Sequence, residues 1–132
     1  MPNDRSPRDE ALLQMRPDLG LDTSQSMAME RFQHETLRPL LKLQHPLLVR
    51  QFEAFLVETK QDLTTQSAGQ RESYIAHACK VHKRLRATFF GLVTGVMTEE
   101  EYQFYLANRG ECNKRLTQML IQRLSSHWVP TG

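Results

Sequence analysis

Three stretches of the 132-residue chain carry apolar residues at helical spacing, and none alternates as a strand does. In the first, from Met27 to about Lys60, Leu37, Leu40, Leu41, Gln44, Leu47, Leu48, Phe52, Phe55 and Leu56 share one broad face. Pro39 and Pro46 fall on the opposite face, where the carbonyls they leave unbonded meet water. Met29 and Phe32 are out of phase with the stripe. This predicts a first helix kinked or broken near Pro39, with Pro39 opening its second segment.

The second stretch opens on Ser67 and Gln70, spaced as a capping box, and runs from about Ala68 to Gly95. Tyr74, Ile75, Ala78, Val81, His82, Leu85, Phe89, Leu92, Val93 and Val96 form its apolar face. The third starts at Thr98-Glu99-Glu100-Glu101, a capping box with three carboxylates at the positive end of the helix dipole. Tyr102, Tyr105, Leu106, Cys112, Leu116, Leu120 and Leu124 hold one phase to about Ser126. That phase carries the helix through Gly110, although glycine costs about 1 kcal/mol against alanine there. A turn of only a few residues makes the second and third helices antiparallel neighbours. Pairing about residue 97 sets Phe89 against Leu106, Ala78 against Leu116, Ile75 against Leu120 and His82 against Asn113.

The expected fold is therefore all-α, a bundle of about three long helices over residues 26–126. Residues 1–25 read as a flexible N-terminal tail rich in loop chemistry, with room for one short helix. Ser6 is its cap, Pro7 its first residue, and Asp9 and Glu10 its first turn. Residues 127–132 read as a C-terminal tail. Three helices can cover only one stripe each, yet the end of the second is apolar almost all round. Phe90, Val93 and Met97 are thus the candidate interface of a homodimer.

Composition narrows the class further. Apolar residues make up 39%, enough for one core. The longest apolar stretch, around Phe89–Met97, is far short of the roughly 20 residues of a spanning helix. No export signal opens the chain, so the expected compartment is cytoplasmic, without a membrane. Cys79 and Cys112 stand apart and form no paired motif; they read as small buried thiols. The formal net charge of +2 does not point to nucleic acid.

Candidate chemistry is sparse. His34, His45, His77, His82 and His127 do not fall at metal-ligand spacing, and His34-Glu35 lacks the second histidine of a zinc helix. No metal and no cofactor is expected. There is no nucleophile elbow, no phosphate loop and no dinucleotide fingerprint. Gly91 and Gly95 read as a small-residue stripe permitting close helix approach. His82, placed on an apolar face opposite Asn113, suggests a polar pocket with Arg109 and Cys112; the plain alternative is a buried histidine satisfied by an amide. Lys80, Lys83 and Arg84 form a basic strip on an exposed face, which reads as solvated surface or a dock for an acidic partner. No aromatic interleaving accompanies it, so nucleic acid is disfavoured.

Two segments, Arg31 to Gln44 and Glu100 to Leu124, resemble a small all-helical family of bacterial proteins. Some members carry a glyoxalase-like name. The resemblance implies a compact helical domain over about residues 27–126 and no established activity. Glyoxalase chemistry does not transfer, because its metal site stands on β-strands. Three functions are thus in play: a non-enzymatic interaction or regulatory module with an unidentified protein partner, a small-ligand binder or enzyme using the pocket near His82, and an accessory factor docking on nucleic acid or ribonucleoprotein through the basic strip.

Overall fold

The computed structural model describes residues 5–19 and 27–129. Among the described residues the chain is helical, with no strand. Its elements are α1 (Pro7–Met15), α2 (Ala28–Phe32), a π-helical turn (Gln33–Leu37), α3 (Arg38–Glu58), a 3-10 turn (Leu63–Thr65), α4 (Ala68–Val81), α5 (Lys83–Thr94), α6 (Glu99–Ala107) and α7 (Arg109–Trp128). Both capping boxes close, Ser67 with Gln70 and Thr98 with Glu101.

Each of the three long runs is interrupted, and each interruption has a local cause. At the start of α3 the chain does not break at Pro39. Proline lacks an N–H, and just before it the helix widens to a π turn, in which the Arg38 N–H reaches back to Gln33 O. The one extra residue rotates the helix so that Phe32 joins Leu37, Leu40 and Leu41 in the core. Pro46 is exposed, as a solvent-side proline should be, but Pro39 is buried and faces Arg16, Pro17 and Leu19 across a small cleft.

The second run bends at His82. Its backbone is extended (φ −82°, ψ 99°), its N–H closes α4 on Ala78 O at 3.1 Å, and its carbonyl opens α5 by accepting from Arg86 N at 2.9 Å. An unbroken helix would place Lys80 one turn from Lys83 and Arg84, where like charges repel. The bend also splits the apolar face. Ile75, Ala78 and Cys79 are buried on α4, which packs on α7; Leu85, Phe89 and Val93 are buried on α5, which packs on α3. Ala78, Leu116, Ile75 and Leu120 are all buried, whereas Leu106, the expected partner of Phe89, is 44% exposed. The third run breaks at Asn108, two residues before Gly110. The Asn108 amide donates to Phe104 O at 3.0 Å, a side-chain bond that competes with continued helix.

The N-terminal stretch expected as a flexible tail is docked over residues 5–19. Ser6 caps α1 by accepting from Asp9 N at 3.0 Å. Arg8 donates to Met97 O at 3.0 Å and Gly95 O at 2.9 Å, and Asp9, only 4% exposed, accepts from Glu99 N. Arg16 donates to both carboxylate oxygens of Glu101, one at 2.8 Å. The rest of the expected N-terminal tail, residues 1–4 and 20–25, lies outside the described residues; of the expected C-terminal tail, His127 and Trp128 close α7 and residues 130–132 lie outside the described residues.

This docking and the α3–α5 packing account for the apolar end of the second run. Val93 and Met97 are fully buried within the chain, and Phe90 is half-buried under Arg86, whose guanidinium lies 5.0 Å from the ring centre. The three residues named as a dimer interface therefore belong largely to the core. Gly91 and Gly95 permit no helix–helix approach either: a Cβ on Gly95 would meet Gly91 O at 2.7 Å, within the same turn. No helix among the described residues is long and apolar enough to cross a membrane.

Candidate functional site

The residues singled out by sequence do not gather into a pocket. His82 is exposed at the bend, with its ring edge-on to Phe55 at 4.8 Å between centroids. Asn113 instead accepts a hydrogen bond from Tyr105 Oη at 2.6 Å. Cys112 is fully buried and Arg109 exposed. Burial raises the Cys112 thiol and pushes Cys79 up to about 12, so neither is a ready thiolate at neutral pH. The helical phase that placed His82 opposite Asn113 fails at the bend, because one extended residue resets it. Lys80, Lys83 and Arg84 are exposed, as a solvated strip should be, but they divide between the end of α4 and the start of α5. Among the described residues no three His, Cys, Asp or Glu side chains gather as a metal's ligands would.

A different site is built between α3 and α7. Arg38, Leu41 and His45 lie at spacings of three and four along α3, and so share one face. Met119, Gln122, Arg123, Ser126 and His127 do the same on α7, and Gln33 of the π turn closes one side. Together they line an open cleft of about 440 Å³, the size of a small-ligand site. Two guanidinium groups and two imidazoles face it, and no carboxylate does.

The polar groups of this cleft are under-used. Arg38 Nε is buried with no hydrogen-bond partner. Arg123 Nη1 lies 3.3 Å from His45 Nδ1. A guanidinium can only donate, so Nδ1 is the acceptor and the His45 proton sits on Nε2. Burial, then the charges of Arg123 and His127, hold His45 below the ordinary histidine value. Burial and the repulsion of Arg38 push Arg123 down in turn. At one side Arg115 donates to Gln33 Oε1 at 2.8 Å while holding Glu111 at 2.8 Å. His127 is set by an aromatic ladder: its ring meets Trp128 at 4.4 Å, and Trp128 meets Phe52 at 5.0 Å.

A second cleft of about 460 Å³ near α2 and α6 makes the contrast plain. There Arg5 and Arg31 are accompanied by Glu35, Glu100 and Glu101. The α3–α7 cleft was legible in part. Arg38 with His45, and Arg123 with His127, recur at helical spacing on the inner flanks of two apolar stripes. The missing information was which flanks meet, since sequence pairing joined α7 to the second run and said nothing of α3.

No protein-family model, curated protein or solved structure matches the chain.

Proposed function

We propose that the protein binds a small anionic ligand in the cleft between α3 and α7. One observation carries the reading: two arginines and two histidines from facing helices converge with no carboxylate among them. Like charges brought together in a partly buried place cost free energy, and an anion offsets that cost. Arginine suits the role because its fork grips oxyanions in two places at once. The reading keeps the ligand-binding expectation and moves it from His82 to α3 and α7. It assigns no reaction.

Thermal unfolding at low ionic strength tests it. A ligand near ten times its dissociation constant stabilises by about 1.4 kcal/mol, a rise in Tm of several degrees. Phosphate, sulfate and carboxylates at about 10 mM are compared with chloride. The reading expects at least one oxyanion to raise Tm, and the double variant Arg38→Gln/Arg123→Gln to lose that rise. An equal rise in the variant would mark a general salt effect and overturn the site. Stabilisation by acidic peptide or nucleic acid alone would return the chain to the interaction-module or nucleic-acid reading.

A further inference from the structure

We propose that the ligand of this cleft is a phosphomonoester dianion, and that its binding draws one proton from solvent onto His45. The inference rests on the anion-binding reading and adds the class of anion and its linkage to pH.

Charge comes first. Arg38 and Arg123 are two permanent cations whose mutual repulsion is felt at Arg123, and no carboxylate lines the cleft. A monoanion leaves one of them uncompensated. A phosphomonoester carries between one and two negative charges near neutral pH, enough to match both.

Geometry comes second. Arg38 and His45 stand two turns apart, about 10 Å along α3. Arg123 and His127 stand about 6 Å apart on the opposite wall. Donors therefore surround the space from two sides. A carboxylate offers two oxygens in one plane, so a single guanidinium fork already engages both. A phosphoryl group offers three terminal oxygens, so each fork can take its own edge while an imidazole reaches the third. The fourth oxygen bears the ester. A volume of about 440 Å³ exceeds a bare phosphate, and Leu41 and Met119 give the remainder an apolar wall for an organic group.

His45 supplies the proton linkage. In the empty cleft it accepts from Arg123 at Nδ1 and is neutral. The charged and titratable groups around it are Arg123 and His127 on α7 and Arg38 on its own helix; the π turn contributes only Gln33 to the lining. When Arg123 turns to the phosphoryl oxygens, Nδ1 loses its donor and the local positive charge is neutralised. Nδ1 then takes a proton from solvent, and the imidazolium becomes a third cation facing the ligand.

The test is calorimetric titration of the full chain at low ionic strength and slightly alkaline pH, in two buffers of different ionisation enthalpy. Phenyl phosphate, benzoate and malonate are the probes. Phenyl phosphate is expected to bind at least ~10-fold tighter than either carboxylate, with uptake of a fraction of a proton at that pH. The His45 Cε1–H resonance should report a titration midpoint raised by about one pH unit or more. Arg123→Gln should lose at least ~10-fold in phenyl phosphate affinity. Arg38→Gln is the second variant should the first fail to fold. His45→Gln should weaken phenyl phosphate binding by less than Arg123→Gln does and lose the proton uptake. Equal affinity for malonate would show that charge alone selects the ligand and overturn the phosphomonoester, leaving the anion site in place. Preference for benzoate would do the same. Tight phenyl phosphate binding without proton uptake would overturn the role of His45. Failure of all three probes to bind would overturn both the inference and the site on which it rests.

Discussion

Where the N-terminal segment meets α6, Arg16 lies against Glu101; between α3 and α7, Arg38 and Arg123 meet no acid at all. The first arrangement is closed. The two side chains are only 11% and 15% exposed, both terminal nitrogens of Arg16 are used, and Glu101 also accepts from Thr98 N and Thr36 Oγ1. Burial alone would raise the Glu101 carboxyl, but the bonds and charge of Arg16, with Thr98 and Thr36, hold it below its ordinary value. Arg16 Nε has no partner, but the group as a whole is neutralised. In the second arrangement nothing within the described residues answers the charge. A buried arginine with its acid is explained by the fold it holds together. Two arginines that repel each other across a cleft are not, and that difference marks the cleft rather than the latch as the place where a ligand belongs.

The comparison breaks most sharply at Glu101. Glu101→Leu strands the Arg16 guanidinium and removes half of the α6 capping box. Losing one partner of a buried pair leaves a desolvated charge, so a loss of about 3 kcal/mol is expected, read by urea unfolding. A loss below about 1 kcal/mol would show that α1 and Arg16 simply move into water, and that the latch holds little.

What could be read beforehand, and what could not, follows the same divide between local and long-range chemistry. Ser6, Ser67 and Thr98 announce their helices because a cap and its partner lie within one turn. The bend at His82 was not legible, since Val81-His82-Lys83 contains neither proline nor glycine, the repulsion among Lys80, Lys83 and Arg84 is a weak local signal, and the packing of α4 on α7 and of α5 on α3 is long-range. The π turn was half legible: Met29 and Phe32 fell out of phase, and Pro39 stood near the slip, but an added residue resolves that slip as well as a break does. The docking of α1 was mostly hidden because only Leu12 of its short apolar face is buried and its other ties are polar. Arg8 and Asp9 seek backbone groups of residues 95–99, and no hydrophobic period foretells such a contact. The α3–α7 cleft joins side chains about 80 positions apart, Arg38 to Arg123, and needed the fold before it could be seen.

Arg123→Met sharpens the contrast with a change of opposite sign. It removes a guanidinium that Arg38 repels and supplies an apolar chain beside Leu41 and Met119. The lost contact to His45 Nδ1 costs part of a kcal/mol, and relief of repulsion with added apolar burial offsets it. Stability is expected to be unchanged or raised by up to about 1 kcal/mol in low-anion buffer, while Glu101→Leu falls steeply. A loss beyond about 1 kcal/mol would show that Arg123 is a structural residue and weaken the case for a ligand.

The smallest effect separates the two regions by pH. His45 has a folded value below its ordinary 6.5, so the unfolded chain binds its proton more readily. Its contribution to stability is full above 6.5 and declines as pH falls from there through the folded value. Glu101 also has a folded value below its ordinary 4.5, so its contribution is full above 4.5 and is lost only as pH falls further. Stability followed by urea unfolding in chloride buffer should therefore fall in two steps, a shallow one beginning near neutral pH and a deeper one in acid. His45→Gln should remove the shallow step alone, and Glu101→Gln should flatten the deeper one. The shallow step also responds to the ligand. An anion in the cleft favours the imidazolium, so phosphate should shrink or reverse that step while leaving the acid step where it is. A single acid step, unaltered by His45→Gln and by phosphate, would mean that His45 titrates alike in the folded and unfolded chains and that the cleft does not sense charge.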